Sequence, residues 1–134
     1  MSPDGRFVAY QSNAPGRQEV VVQPFPSLDQ GQWRASEGGG SHPAWARNGR
    51  ELFYEDLSNI LTAVTVQVAS GRPTFGRPVK LFRVRSVEYD ARFWDPAADR
   101  RFLVVKDGAE EARSDVVVVV LNWFEELKER AASR

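Results

Sequence analysis

Ser41 and His42 are the adjacent residues whose types most suggest chemistry, because a histidine can activate a serine as a nucleophile. His42 is the only histidine of the chain. Neighbouring side chains on an extended strand point to opposite faces, so we expect no hydrogen bond between this pair. The Gly-x-Ser-x-Gly sequence that presents the nucleophile of α/β-hydrolases is absent. The sequence therefore predicts no catalytic residue in this chain.

Two acidic pairs, Glu55-Asp56 and Glu110-Glu111, could transfer protons or bind a cation. Both fall in predicted hairpin turns, where we expect solvated charge. Gly38-Gly39-Gly40 is followed neither by Lys-Ser/Thr nor by a predicted helix, as a phosphate-binding loop would be, and is interpreted as a turn between repeats. Calcium-loop spacing and a histidine pair for zinc are also lacking. We therefore expect no metal site, no cofactor and no cofactor-binding residue.

Tryptophans and arginines recur at related positions and allow two interpretations each. The tryptophans could stack on sugars or bases, but we favour packing between repeats. The arginines could form a ring of ligand-binding groups, but we favour a repeated ion pair with a neighbouring repeat. The residues concerned are Trp33, Trp45, Trp94 and Trp123, and Arg6, Arg50 and Arg101.

A repeated sequence motif supplies the turns and strands that would position these residues. A tight turn followed by a strand is predicted at 2–10, again at 47–54, and in a degraded third copy at 98–105. Valine-rich strands at 20–22 and 64–66 lie at equal distances behind the first two turns, so we expect the same register in both copies. A period in the forties with about four short strands per repeat is typical of β-propeller blades.

The predicted fold is all-β, a partial β-propeller in residues 1–121 with about three four-stranded blades. The blades lie near 2–45, 46–94 and 95–121, and the first and last are incomplete. Trp45 and Trp94 are predicted to occupy equivalent, largely buried positions on inner strands. Because the open arc would leave two blade faces without a neighbour, we expect the isolated chain to self-associate or to be poorly soluble.

Residues 122–134 change period and are predicted to form a short amphipathic helix. Asn122 can cap it, and Glu125 lies where a capping-box acid would. The residues Trp123, Phe124, Leu127 and Ala131 share one face. We expect this face to dock on the last blade or on another surface, since isolated helices of this length are marginal.

Composition excludes several classes of function. Lys plus Arg and Asp plus Glu number 18 each in 134 residues, which argues against a basic nucleic-acid surface. There is no cysteine, so disulfides and thiolate metal sites are excluded. No apolar run approaches the length of a membrane span, and no signal segment is recognised, so we expect no membrane insertion by this chain. These features leave the compartment open.

A family resemblance is carried by the segments 2–10, 20–26, 38–40 with Pro43 and Trp45, 48–54 and 118–128. These segments resemble TolB-type propeller repeats, which are relatives of WD-type repeats with Pro-Asp-Gly at the blade turn. Together with the Leu-Asn-Trp-Phe-Glu-Glu-Leu sequence near the C-terminus, the order of these segments resembles the C-terminal end of propellers fused to bacterial serine/threonine protein kinases. Pro-Asp is replaced by Arg47-Asn48 in the second turn, and the third turn lacks its glycine.

The resemblance implies a non-catalytic sensory or scaffolding propeller that binds a protein or a ligand, and not a kinase, because kinase core motifs are absent. Its partners would be further blades or other copies of the chain. It would be extracytoplasmic if the kinase is anchored in a membrane. The alternative is a propeller fragment of a hydrolase or peptidase whose catalytic domain lies outside this chain.

Overall fold

The structure, a computed structural model, describes residues 1–14, 16–84, 92, 94–98, 101–106 and 116–120. The predicted helix at 122–134, the Glu110-Glu111 pair and Trp123 lie outside these residues. The described residues form strands and one short 3-10 helix, Leu28–Gln30. The strands are β1 Phe7–Ser12, β2 Glu19–Pro24, β3 Trp33–Arg34, β4 Ser41–Trp45, β5 Glu51–Glu55, β6 Ile60–Ala69, β7 Arg72–Phe75, β8 Val79–Arg83, β9 Trp94–Pro96, β10 Phe102–Lys106 and β11 Val116–Val120.

The strands form three antiparallel sheets, which confirms the all-β prediction. The first sheet has the order β1-β2-β3, and the third has the order β9-β10-β11. The middle sheet has the order β4-β5-β6-β7, and β8 also pairs with β6. The hairpin of β6 and β7 is not among the strands predicted from the sequence. Strand pairing does not test the proposed division into blades, which stays a prediction.

The repeated sequence motif forms the same turn in its first two copies. The side-chain oxygens of Asp4 and Asn48 accept the backbone N–H two residues on, at 3.1 and 2.8 Å. Gly5 and Gly49 follow with φ of 73° and 72°, a conformation that glycine adopts without steric cost. Hydrogen bonds from Ser2 and from Arg6 lower the pKa of Asp4 to about 2.

Arg6 forms its ion pair inside this turn, with Nε 2.7 Å from the Asp4 carboxylate. The expected pairing of Arg6 with a neighbouring repeat is therefore wrong, because the Asx turn places the acid next to the guanidinium. Both groups are largely exposed, so solvent screens the pair and its effect on stability is small.

The register after the turn differs between the two copies, contrary to our expectation. Phe7 pairs with Pro24, but Glu51, at the same place after its turn, pairs with Thr65. The first hairpin is therefore three residues longer. Strand β2 begins 14 residues after Gly5, whereas β6 begins 11 residues after Gly49, because a longer connection precedes β2.

The middle sheet has a hydrophobic core on each face. Phe7 and Val20 of the first sheet pack against Leu52 of β5. Phe53, the next residue of β5, packs on the opposite face against Phe102 of the third sheet, with ring centroids 4.9 Å apart. Successive residues of a strand point to opposite faces, so β5 is buried on both. This burial explains the continuous apolar run in its sequence.

Trp45 and Trp94 both contribute to these cores but are not equivalent. Trp45 lies opposite Leu52, whereas Trp94 lies opposite Val104. Pro96, opposite Phe102, occupies the place that corresponds to Trp45. Trp94 is 3% exposed, while Trp45 is half-buried. The predicted equivalence fails because the third turn is one residue shorter than the second. The N–H of Ala97 donates to the carbonyl of Arg101, four residues later, whereas the N–H of Ala46 donates to the carbonyl of Glu51, five residues later.

Candidate functional site

Ser41 and His42 contact each other, which corrects the sequence prediction. The distance from Ser41 Oγ to His42 Nδ1 is 3.1 Å. His42 has a φ of 51°, and the pairing of β4 with β5 shifts between Ser41 and Ala44. The alternation of side chains holds only for regular strands, and this irregularity turns both groups to one side.

Glu55 approaches the same histidine and is buried, not solvated as expected. Its Oε2 lies 3.4 Å from His42 Nδ1, and its Oε1 accepts a 2.7 Å hydrogen bond from Trp94 Nε1. Glu55 is the last residue of β5, and only 6% of it is exposed. The bond to Trp94 joins the middle sheet to the third sheet. The neighbouring Asp56 accepts backbone N–H groups of the turn and pairs with Lys80 at 3.5 Å. Its side chain is only 15% exposed, so the expectation of solvated charge is wrong for this residue as well.

This cluster lacks the geometry of a catalytic triad. In a triad, serine and acid contact opposite nitrogens of the histidine, so that the proton passes through the ring. Here Ser41 Oγ and Glu55 Oε2 both approach Nδ1. A nitrogen that donates to the carboxylate cannot accept the serine proton. The arrangement is therefore suited to holding β4 against β5, and the backbone N–H of His42 also donates to Gln11 Oε1 of β1 at 3.0 Å.

An open groove lies beside this cluster, where the first strands of the three sheets come close together. Its volume is about 620 Å³. Most of the lining is small or apolar, and four prolines and alanines come from three different strands. The lining residues are Met1, Pro3, Ala9, Pro43, Ala44, Trp45, Arg47, Arg92, Asp95 and Pro96.

Two arginines supply positive charge to the groove. Arg92 is held by Asp95 at 2.7 Å and donates to the Pro43 carbonyl at 3.2 Å. Its guanidinium also lies over the Trp94 ring, 5.3 Å from the centroid. Arg47 is exposed and forms no ion pair with any residue that the structure describes. The groove is therefore suited to a ligand that is partly apolar and carries a negative charge near Arg47.

The Gly38-Gly39-Gly40 segment joins the first sheet to the middle sheet. The N–H of Gly39 donates to the Glu19 carboxylate at 3.2 Å, so it faces an acid of the chain itself. The backbone N–H of Gly39 thus helps to hold the segment in place, which agrees with its interpretation as a turn between repeats. A side chain at Gly40 would lie 2.8 Å from the Tyr54 ring, so the segment must approach closely.

Glu19 is the buried residue whose hydrogen bonds hold this connection in place. It accepts hydrogen bonds from Ser36 Oγ and, at 2.7 Å, from Arg17 Nε. Burial of the carboxyl opposes ionisation, but these hydrogen bonds outweigh it and lower the pKa of Glu19 below its ordinary value. The network ties β2 to the segment that leads into β4. Sequence analysis missed it, since a lone glutamate in a valine run gives no sign of its partners.

No described part of the chain groups three or more potential metal ligands of the His, Cys, Asp or Glu type. The sequence singled out Ser41, His42 and Glu55 but did not bring them together. It did not find Gln11, Arg92 or the groove at all, because these depend on contacts between sheets. Trp33, Trp45 and Trp94 all pack in the two cores, as predicted.

No family model matches this chain, and no curated protein sequence matches it. Among the described residues, no helix has the length and apolar character needed to cross a bilayer. The resemblance to TolB-type repeats therefore remains a hypothesis that rests on its motifs.

Proposed function

We propose that this chain is a non-catalytic binding segment of a TolB-type β-propeller linked to a bacterial serine/threonine kinase. The observation that carries the binding role is the groove, which is lined from β1, β4 and β9. Each of these strands flanks a repeated turn: β1 follows its turn, and β4 and β9 precede theirs. Pro3 and Arg47, from two of these turns, also line the groove. Ligands of repeat proteins often bind where equivalent strands or loops converge.

The stacking of the sheets supports the propeller part of the proposal. Each sheet is antiparallel and contains three or more strands joined in chain order, and the middle sheet packs face to face against both neighbours. The faces that meet are also related. Phe7 and Val20 point from the first sheet to the middle one, as Phe53 and Leu61 point from the middle sheet to the third. Such a repeated sheet-to-sheet relation is expected of successive blades.

Among the described residues, Ser41 and Glu55 approach the same nitrogen of His42, which favours binding over catalysis. Purified protein should not hydrolyse ester or peptide substrates above the level of a Ser41→Ala variant. Turnover that is lost in both Ser41→Ala and His42→Gln would contradict the non-catalytic assignment.

The binding role is tested by chemical-shift mapping with a library of short peptides and small acids. Shifts should concentrate at 43–47, 92–96 and Ala9. Ligands that shift only residues outside the groove would overturn the assignment. The coding sequence on either side tests the kinase link: an in-frame kinase domain upstream supports it, and an α/β-hydrolase domain downstream supports the alternative.

A further inference from the structure

The second repeated turn contains an Asn48-Gly49 pair, in which the asparagine is exposed. Asparagine is a thermolabile residue, and a following glycine leaves its side-chain amide open to attack by the backbone because glycine has no side chain. The first turn has aspartate at the same place, followed by the same glycine and arginine. The two turns therefore show one backbone conformation, once with an amide and once with a carboxylate.

The second turn holds the side-chain carbonyl of Asn48 in place for such an attack. The backbone N–H of Arg50 donates to Asn48 Oδ1 at 2.8 Å. When a nucleophile adds to the carbonyl carbon, this oxygen takes the negative charge, and a donor already in place stabilises that charge. The exposed Arg47 and Arg50 side chains add two positive charges to the same turn. The turn is thus suited to stabilise the anionic intermediate.

The nucleophile is the backbone nitrogen of Gly49. Its N–H donates to the Ala46 carbonyl at 2.9 Å, so this hydrogen bond must open before the nitrogen reacts. The bond lies in a surface turn, where local opening costs little free energy. The nearest atom to the position of a Cβ at Gly49 is Pro3 Cδ, at 3.6 Å. A five-membered ring can therefore form here without displacing a neighbour.

The product of the reaction has a partner already in place. Asp4 accepts the backbone N–H of Arg6 and pairs with its Nε at 2.7 Å. Arg50 occupies the place of Arg6 and forms no ion pair within the part of the chain that the structure describes. A carboxylate in place of the asparagine amide would meet the same backbone donor and a free guanidinium, which together favour the ionised form.

We propose that Asn48 is a site of non-enzymatic deamidation, which converts the second turn into a copy of the aspartate-glycine-arginine turn at 4–6. The Gly49 nitrogen loses its proton and bonds to Asn48 Cγ in an intramolecular step. The Cγ–Nδ2 bond breaks, and ammonia leaves with that proton. Water then adds to the cyclic imide at Cγ, and the bond from Cγ to the Gly49 nitrogen breaks to give aspartate. Water is the only reactant, and the chain gains one negative charge.

Hydrolysis at the other imide carbonyl gives isoaspartate, in which the main chain runs through the former side chain and is one carbon atom longer. This product fits the turn less well, because the bonds from Gly49 to Ala46 and from Arg50 to Asn48 require the original spacing. We therefore expect the folded protein to yield a larger share of aspartate than an unstructured peptide does.

The site is tested by incubation of the purified protein at pH 8.5 and 37 °C in water enriched in oxygen-18, followed by peptide mapping with mass spectrometry. We expect one labelled oxygen in the peptide that contains Asn48. Asn13, which is also exposed but is followed by Ala14, is the internal control and should react at least tenfold more slowly. Asn48→Gln should remove the label, because glutamine would have to close a larger ring. Equal labelling at both asparagines, or none at either, would overturn the assignment.

The role of the fold is tested against an unstructured peptide of residues 44–52. The protein should react within about tenfold of the peptide rate, because one exposed hydrogen bond must open. Its ratio of aspartate to isoaspartate should be at least twofold higher. A slower rate would show that the turn protects the pair, and an equal ratio would show that the turn does not select aspartate. Either result would contradict the proposal.

The variant Asn48→Asp tests whether the turn accepts the product. It should elute with the main modified species on ion exchange and should unfold at the temperature of the parent protein. A melting temperature lower by more than about 4 °C would show that the carboxylate is not accommodated, and the proposed product would be wrong. This proposal does not depend on the proposed binding role of the groove.

Discussion

Glu19, Glu51 and Glu55 place three carboxylates in the interior of the described residues. Glu19 accepts hydrogen bonds from three groups and Glu55 accepts one from Trp94, whereas Glu51 Oε2 has none among the residues described. A buried carboxylate is costly unless it is hydrogen-bonded, so removal of the donors to Glu19 or Glu55 should destabilise the fold. Each links segments that are distant in sequence.

Trp94 should be a strong determinant of stability, because it fills the core between the middle and third sheets and donates to Glu55. Trp94→Ala is expected to lower the free energy of unfolding by about 3–5 kcal/mol. Trp94→Phe keeps most of the ring and removes the donor, with an expected loss of about 1–3 kcal/mol. Urea denaturation measures both. Equal losses for the two variants would show that the hydrogen bond, and not packing, dominates.

Glu19 should make stability depend on pH in the acid range. Its folded pKa is lowered, so its contribution is present above the unfolded value of about 4.3 and is lost as the pH falls through the folded pKa. Glu19→Gln is expected to cost about 2 kcal/mol at pH 7 and much less at pH 3. Denaturation at the two pH values tests this, with the exposed Glu37→Gln as control. An equal cost at both pH values would contradict the ionised state of Glu19.

At the scale of elements, the connections decide how the sheets are placed. The glycine segment crosses from the first sheet to the middle one against Tyr54 and Ser36. The bulge in β4 then turns Ser41 and His42 towards Glu55. These two irregular stretches, and not the regular strands, position the polar cluster.

Gly40→Ala should therefore destabilise the protein, because the added Cβ would lie 2.8 Å from Tyr54 and 2.9 Å from Ser36. Overpacking of this kind costs about 1–3 kcal/mol. Gly38→Asn in the same segment is the control, since nothing lies within 4 Å of its Cβ position and asparagine tolerates its φ of 74°. Thermal unfolding compares them. A Gly40→Ala protein as stable as the control would show that the connection can move away.

At the scale of the whole molecule, the outer sheets have one face in contact with the middle sheet and one without a described partner. Phe102 and Val104 of β10 face the middle sheet. Leu103 points to the other face and is 46% exposed. Apolar side chains on an open face favour association between copies.

Sedimentation velocity should accordingly show self-association that increases with concentration. Leu103→Lys is expected to weaken it, because the charge would have to be buried in the contact. Leu57→Lys, at a turn residue that is 63% exposed, should leave it unchanged. A monodisperse monomer at high concentration would contradict the open-arc interpretation.

The sequence by itself determined the local features of this protein. Asp4-Gly5 and Asn48-Gly49 specify their turns, because the side-chain oxygen and the left-handed glycine act within a few residues. Apolar runs such as 20–22 identify strands for the same local reason. Registers, the Ser41-His42-Glu55 contact and the groove depended on tertiary structure. Each is set by partners far along the chain, by the length of a connection or by a bulge, and none of these leaves a regular pattern in the sequence.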